Sequence, residues 1–274
     1  MKELIKEMIF TMNRGKYKFQ PVFIIGCGRS GTTILGKTLS KHPEIKYLNE
    51  RRDIWHKAYP ELNIWDERID SILYADEQNF SDKKNKKIKK FFFREQVFNK
   101  SKILLEKLPI NSFRLNFIKK NFPQAKYIYI TRNGIEVSKS IEKKIEKQNW
   151  YKGKKFDLLK SFDLEKYEKL NIQKNIEKAM WEWRLSIKES DEFFKVEKNT
   201  FIHLSYQDFV NNPIKKISEI FDFLEIKYEK SFIYQISNKI KSKDSHNDIM
   251  NNEKLKKIGG TILKKTINNT YSPF

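Results

Sequence analysis

The sequence predicts an α/β fold: a parallel sheet flanked by helices, in a single domain. Three observations carry this. Val22 to Ile25 is an apolar run that enters a glycine-rich turn and then helix-type sequence to about Lys41. Residues 126–131, Lys-Tyr-Ile-Tyr-Ile-Thr, enter a second turn at Arg132-Asn133-Gly134, after which Ile135, Ser138, Ile141 and Ile145 recur at helical spacing. Successive strand-like runs are separated by far more residues than a hairpin needs, so the strands run parallel with helical crossovers.

In chain order, residues 1–20 read as a polar lead-in with room for a short helix. The first strand–helix unit then ends at His42-Pro43, because proline has no N–H and restricts the residue before it. A short extended stretch, 45–48, leads to the polar group Asn49-Glu50-Arg51-Arg52. Residues 53–100 mix aromatic and charged residues with weak periodicity and include the basic run Lys83 to Lys90; they read as helices and loops elaborating the substrate side. A strand follows at 102–107, a helix near 113–121, then the strand at 126–131 and its helix. A charged stretch covers about 149–170. A long helix over about 171–195 is marked by Ile176, Met180, Trp183 and Ile187 on one stripe, and a last strand at 200–204 ends in Ser205-Tyr206-Gln207-Asp208. Pro213 opens a helix reaching Leu224, and a Lys- and Asn-rich tail from Ser237 has one more helix at about 252–267.

The chain has 274 residues, enough for one large domain, and 56 basic against 35 acidic residues, a formal +21. That balance favours anionic ligands or surfaces. Because 47 of the 56 are Lys and nine are Arg, in a chain also rich in Asn and Ile, the arginines carry more information than the lysines. The one cysteine, Cys27, excludes an internal disulfide and a cysteine-only metal cluster, and no metal is expected. No run approaches the ~20 apolar residues that cross a bilayer, and acidic Glu3 and Glu7 argue against a leader peptide. The expectation is a cytoplasmic protein without a transmembrane segment.

The first turn, Gly26-Cys27-Gly28-Arg29-Ser30-Gly31-Thr32-Thr33, is a phosphate cradle: glycines expose backbone N–H groups, and a helix N-terminus adds its own. Gly26 and Gly31 hold the spacing of the ATP-binding loop G-x-x-x-x-G-K-[ST], but Thr32 stands where that loop has lysine. Arg29 inside the turn instead supplies a forked cation suited to one terminal phosphate or phosphosulfate. The fold is thus P-loop-like without the expectation of ATP. Ligands of such folds collect at the carboxyl ends of strands, where the loop, Glu50, Lys107, Arg132 and Tyr206 all fall.

Three separated segments resemble the sulfotransferases that use 3′-phosphoadenosine 5′-phosphosulfate (PAPS). Residues 28–33 with His42-Pro43-Glu44 resemble the family's 5′-phosphosulfate loop, Tyr129 to Ser140 its 3′-phosphate element, and Leu204 to Phe209 with Asn212-Pro213 and Phe221 to Leu224 its late strand and helix. The resemblance implies the sulfotransferase fold over residues 21–274, with 53–100 on the acceptor side. It implies PAPS as donor, bound by Arg29, Ser30, Gly31, Thr32, Thr33, Arg132, Ser140 and Tyr206. Asn133 departs from the acidic residue common after that arginine, which puts a local supporting hydrogen bond in question. Glu50 matches the family's general base and Arg52 its neighbouring arginine; Lys107 matches the lysine near the leaving group, and with Glu50 and Arg29 completes the catalytic set. The tail residues Ser245, Lys256 and Lys257 match the family's closing segment only loosely. The implied acceptor is a hydroxyl on a carbohydrate or glycolipid, then a tyrosyl side chain, and no nucleic acid.

Bland readings stand beside these. Cys27 reads as a small turn residue rather than a nucleophile, Lys83 to Lys90 as a solvated face, and Trp181 and Trp183 as core. His42 reads as a helix-end residue and His203 as a strand residue with no evident partner. Two rival functions remain: a nucleotide kinase or NTPase, favoured by the glycine spacing, and a basic nucleic-acid-binding protein, favoured by the lysine-rich segments.

Overall fold

A computed structural model describes residues 2–238, 240 and 252–267. Five strands form one parallel sheet: β1 (Pro21–Ile25), β2 (Ile45–Asn49), β3 (Ile103–Lys107), β4 (Lys126–Thr131) and β5 (Phe201–Ser205), in the order β2-β3-β1-β4-β5. The helices are α1 (Lys2–Asn13), α2 (Thr32–Leu39), α3 (Arg52–Ala58), α4 (Asp82–Phe98), α5 (Leu115–Asn121), α6 (Gly134–Gln148), α7 (Lys155–Ser161), α8 (Leu164–Lys169), α9 (Asn175–Val196), α10 (Tyr206–Asn211), α11 (Pro213–Phe223), α12 (Lys230–Ser237) and α13 (Glu253–Ile267). Among the described residues, no helix is long and apolar enough to cross a membrane.

The twofold alternation of side chains divides the interior. Phe23, Ile25, Tyr127 and Tyr129 face a core shared with Trp55, Phe92, Trp181, Trp183 and Phe194. Val22, Ile24, Ile128 and Ile130 face a second core with Leu35, Leu39, Phe221 and Leu224. Central strands covered on both faces read as continuous apolar runs, which is why Val22 to Ile25 stood out in the sequence. The chain leaves β1 toward β2 and leaves β4 toward β5, so the exits diverge between neighbouring strands β1 and β4. A crevice opens where exits diverge, outside the strand ends.

Two segments are more ordered than their sequence implies. The lead-in is helix α1, docked on α4 by Phe10 against Phe93 (ring centroids 5.4 Å apart) and by a buried Lys6 Nζ to Glu95 Oε1 contact of 2.5 Å. The charged stretch 149–170 contains α7 and α8, each under two turns, too short to show periodicity. Its Lys155 is buried: Nζ lies 2.7 Å from Glu182 Oε1 and 4.3 Å from the Trp150 ring centroid, while Trp150 Nε1 donates to Glu182 Oε2 at 2.8 Å.

The core also holds the Glu106 carboxyl, which accepts from Trp55 Nε1 (3.1 Å) and Asn111 Nδ2 (2.9 Å). Complete burial pushes it up from 4.5 to about 8, against the lowering pull of those donors and of Lys107.

Two stability predictions follow from these buried charges. Lys155→Ala strands the Glu182 carboxylate and should lower unfolding free energy by about 3–5 kcal/mol in denaturant titration. Between pH 4.5 and about 8 the unfolded chain has lost the Glu106 proton while the folded chain keeps it. Stability should therefore fall as pH rises through that window, by up to about 1.4 kcal/mol per pH unit, and Glu106→Gln should flatten the slope in pH-dependent melts.

Candidate active site

The site begins where β1 ends. Ser30 N–H donates to Cys27 carbonyl oxygen at 3.1 Å, turning the chain, and Gly31 takes the left-handed conformation (φ 97°) as N-cap of α2. A Cβ at Gly31 would lie 2.4 Å from the Tyr206 ring, so glycine is required for both backbone and space. No side chain caps α2, which leaves its first-turn N–H groups for an anion. Ser30 is fully buried and its Oγ has no hydrogen-bond partner among the described residues, which leaves it available to a ligand. Arg29 is exposed and also left-handed (φ 72°), a conformation unfavourable for a residue with a Cβ and one that clusters at ligand sites. These features fit a terminal phosphate or phosphosulfate. Cys27 is buried, and desolvation, reinforced by Glu182, pushes its thiol well up, so it is no nucleophile.

At the end of β4, Asn133 Oδ1 accepts from Ile135 N–H at 2.9 Å and caps α6. The supporting hydrogen bond that an acidic residue would make there is made by asparagine instead. Arg132 is held on three sides: Nε donates to Glu136 Oε2 (2.8 Å), Nη1 donates to Arg29 carbonyl oxygen (3.3 Å), and the guanidinium lies 4.1 Å from the Tyr206 ring centroid. Arg29 Nε donates to Ser140 Oγ at 3.0 Å. Arg29, Gly31, Arg132, Ser140 and Tyr206 therefore form one contiguous group, with Thr32 and Thr33 opening α2 beside them. Glu136, which orients Arg132, escaped the sequence reading; its position four residues after the arginine on a helix was the available signal.

The third part lies across β3. Glu50 follows β2 in a left-handed conformation (φ 54°), and its N–H donates to Lys107 carbonyl oxygen at 2.8 Å. Lys107 is buried, and its Nζ donates to Glu50 Oε1 at 2.6 Å. Arg52 Nη2 approaches Glu50 Oε2 at 3.4 Å, and its guanidinium stacks 3.8 Å from the Trp65 ring centroid. Burial works to raise the Glu50 carboxyl, but Lys107, then Arg52, outweigh it and hold the group below its ordinary value. The Glu50 side chain is 36 % exposed against 1 % for Lys107, so the carboxylate faces solvent and the lysine supports it from below. Lys107 pairs with Ile24 of β1 and Asn49 of β2, which sets the pair one strand from the glycine loop. Pro109 bridges the two, its Cβ 3.7 Å from where a Cβ on Gly28 would stand. Trp65 and Trp150, the latter packed against Gly28, were not singled out from sequence because aromatic residues are common throughout the chain.

The other expectations distribute as follows. Trp181 and Trp183 are core, and Trp183 Nε1 also donates to Arg132 carbonyl oxygen at 3.1 Å. His203 does have a partner: its Nε2 lies 3.0 Å from Thr131 Oγ1, and burial lowers the ring to about 4. His42 packs edge-on against Phe221 and Phe232. Lys83, Lys86, Lys87 and Lys90 are exposed along α4, as a solvated face requires. Lys256 bonds to Glu253 and Lys257 is exposed on α13; Ser245 lies outside the described residues.

Residues 21–230 match the sulfotransferase family. The chain is 24% identical over 268 residues to protein-tyrosine sulfotransferase A of Caenorhabditis elegans, covering 90% of this chain; it spans 63% of that relative's length. Similar solved structures include a sulfotransferase from Alicyclobacillus acidocaldarius (13% identity, 91% of this chain and 94% of that one, TM-score 0.53) and one from Mycobacterium avium (14%, 95% and 80%, TM-score 0.51). At these identities the likeness is one of fold, and it agrees with the five-stranded parallel sheet. With most of its length matched, from the first strand through the start of α12, the chain belongs to the sulfotransferase family.

Proposed function

We propose that this chain transfers a sulfuryl group from PAPS to an acceptor hydroxyl, carried on a carbohydrate or glycolipid, with residues 21–274 acting as one domain and 53–100 walling the acceptor side. The observation that carries the reading is the partly exposed Glu50 carboxylate resting on buried Lys107, one strand from an anion loop with an unpartnered buried hydroxyl. A tyrosyl hydroxyl is the second acceptor, favoured by the name of the curated relative.

In this reading Ser30, Gly31, Thr32 and Thr33 hold the 5′-phosphosulfate by N–H and hydroxyl groups. Arg132, Ser140 and Tyr206 hold the 3′-phosphate end. Glu50 takes the proton of the acceptor hydroxyl as its oxygen bonds to sulfur, while Lys107 and Arg29 neutralise charge on the sulfuryl and on the phosphate oxygen released as the sulfur–oxygen bond of the donor breaks. Fixed cations suit this chemistry, because the charge moves across a short distance between preplaced groups.

Titration calorimetry with 3′-phosphoadenosine 5′-phosphate, ADP and ATP, without magnesium, tests the donor. Binding confined to the 3′-phosphorylated nucleotide and weakened about tenfold or more by Arg132→Ala is expected. Equal binding of ATP would overturn PAPS as the donor. With a sulfated product in hand, Glu50→Gln should lower kcat by about 10²-fold or more. The Glu50 carboxyl is held below 4.5 in the free protein, so kcat/KM should fall only as pH drops below the usual carboxylate range. Lys107→Met leaves burial unopposed by its strongest partner and should move that acidic limb to higher pH.

A further inference from the structure

Nine large apolar residues among those described are substantially exposed, and four belong to α1: Leu4 (76 %), Ile5 (45 %), Met8 (61 %) and Met12 (72 %). The others, such as Leu164 and Ile214, are scattered singly, as on any protein surface. Spacing of three to four residues places Leu4, Met8 and Met12 on one ridge, and Phe10 and Lys6 on the opposite side, buried against α4. The ridge is thus not a misplaced core face, since α1 already has its inward contacts.

Beside the ridge lies concentrated positive charge. Lys83, Lys86, Lys87 and Lys90 are exposed at helical spacing on α4, and Lys90 reaches Glu7 of α1 at 2.5 Å, so the basic stripe starts where α1 sits. Arg14, Lys16 and Lys18 continue the exposed charge beyond the C-terminus of α1. Two of the acidic groups nearby are committed, Glu7 to Lys90 and Arg94 and Glu95 to Lys6, while Asp82 opens α4 and Glu3 belongs to the first turn of α1.

We propose that α1 and the outer face of α4 form a docking surface for an anionic lipid bilayer, with Leu4, Met8 and Met12 entering the interface and the lysines resting on headgroups. An apolar helix face flanked by cations matches that surface on both counts. A second copy of this chain does not match it, because facing ridges would bring two basic stripes together.

The surface is connected to the site. Glu95, bonded to Lys6 of α1, lies 3.8 Å from Arg51 Nη1, and Arg51 is flanked in sequence by Glu50 and Arg52. A helix held at the bilayer is thus linked to the Glu50 segment by buried contacts on its inward face, opposite the ridge. The docking does not rest on the sulfotransferase reading.

The test is cosedimentation of the full chain with vesicles of phosphatidylcholine alone and of phosphatidylcholine mixed with phosphatidylglycerol. The expected result is binding to the mixed vesicles only. It should weaken about tenfold or more in Leu4→Gln/Met8→Gln/Met12→Gln and in Lys83→Gln/Lys86→Gln/Lys87→Gln. Both variants change exposed side chains and should bind 3′-phosphoadenosine 5′-phosphate as the parent does, which keeps failure of docking distinct from failure of the donor site. Absence of vesicle binding would overturn the proposal. So would binding that depends on the lysines but not on the α1 ridge, which would mark general attraction to polyanions, RNA included. Concentration-dependent dimerisation lost in the α1 variant would make the ridge a self-association surface and overturn it as well.

Discussion

A buried ammonium group must have an anion at hand, and Lys107 meets that demand with Glu50. Much of the site is arranged around this one pair. The Glu50 N–H bonds to the Lys107 carbonyl oxygen, which extends the β2–β3 ladder past its last residues and bends the chain into α3. Breaking the pair would leave a charge in a strand beside Glu106, a carboxyl that burial already keeps largely protonated near neutral pH. The pair also fixes the state of Glu50: its carboxyl is held below its ordinary value, oriented and partly exposed.

The anion loop is built on a different constraint, close packing. Gly31 lies against Tyr206, Tyr206 lies under Arg132, and Arg132 reaches the Arg29 carbonyl oxygen, so the β1 and β4 exits support each other. Behind them Trp183 holds the Arg132 backbone, and Trp150, fixed by Glu182, covers Gly28. The buried Lys155–Glu182 pair thus sits behind the loop, which ties a charged segment of unremarkable sequence to the geometry of the site.

Much of this was legible in the sequence, for identifiable reasons. The central strands are buried on both faces and so read as apolar runs, and the strand 126–131 was located to the residue. The glycine loop, Arg132, Glu50 and Lys107 could be placed at strand ends because turn chemistry confines where the chain leaves a strand, whereas Ser140 and the roles expected of all of them came from the family resemblance. What could not be read depended on contacts between distant residues. Neither Trp65 beneath Arg52 nor Trp150 against Gly28 leaves a local signal, and an unpartnered Ser30 hydroxyl is visible only once its surroundings are known. Helices α7 and α8 are too short for periodicity, and α1 carries apolar residues on two faces, which blurs its pattern. His203 looked isolated because Thr131, its partner, lies on the neighbouring strand.

In the proposed reading, the hydrogen bond from Arg29 to Ser140 joins a cation of the phosphosulfate subsite to a hydroxyl of the 3′-phosphate subsite. Any anion that draws Arg29 inward releases that hydroxyl, and any anion that engages the hydroxyl releases Arg29. In that reading the two halves of the cradle hold each other, and a ligand at either one frees the other. Two anionic ends joined in one molecule break this mutual contact once and gain both halves, whereas a ligand with a single anionic end breaks it for one half alone. Discrimination between them is then a property of linkage between subsites, added to whatever contacts each subsite makes.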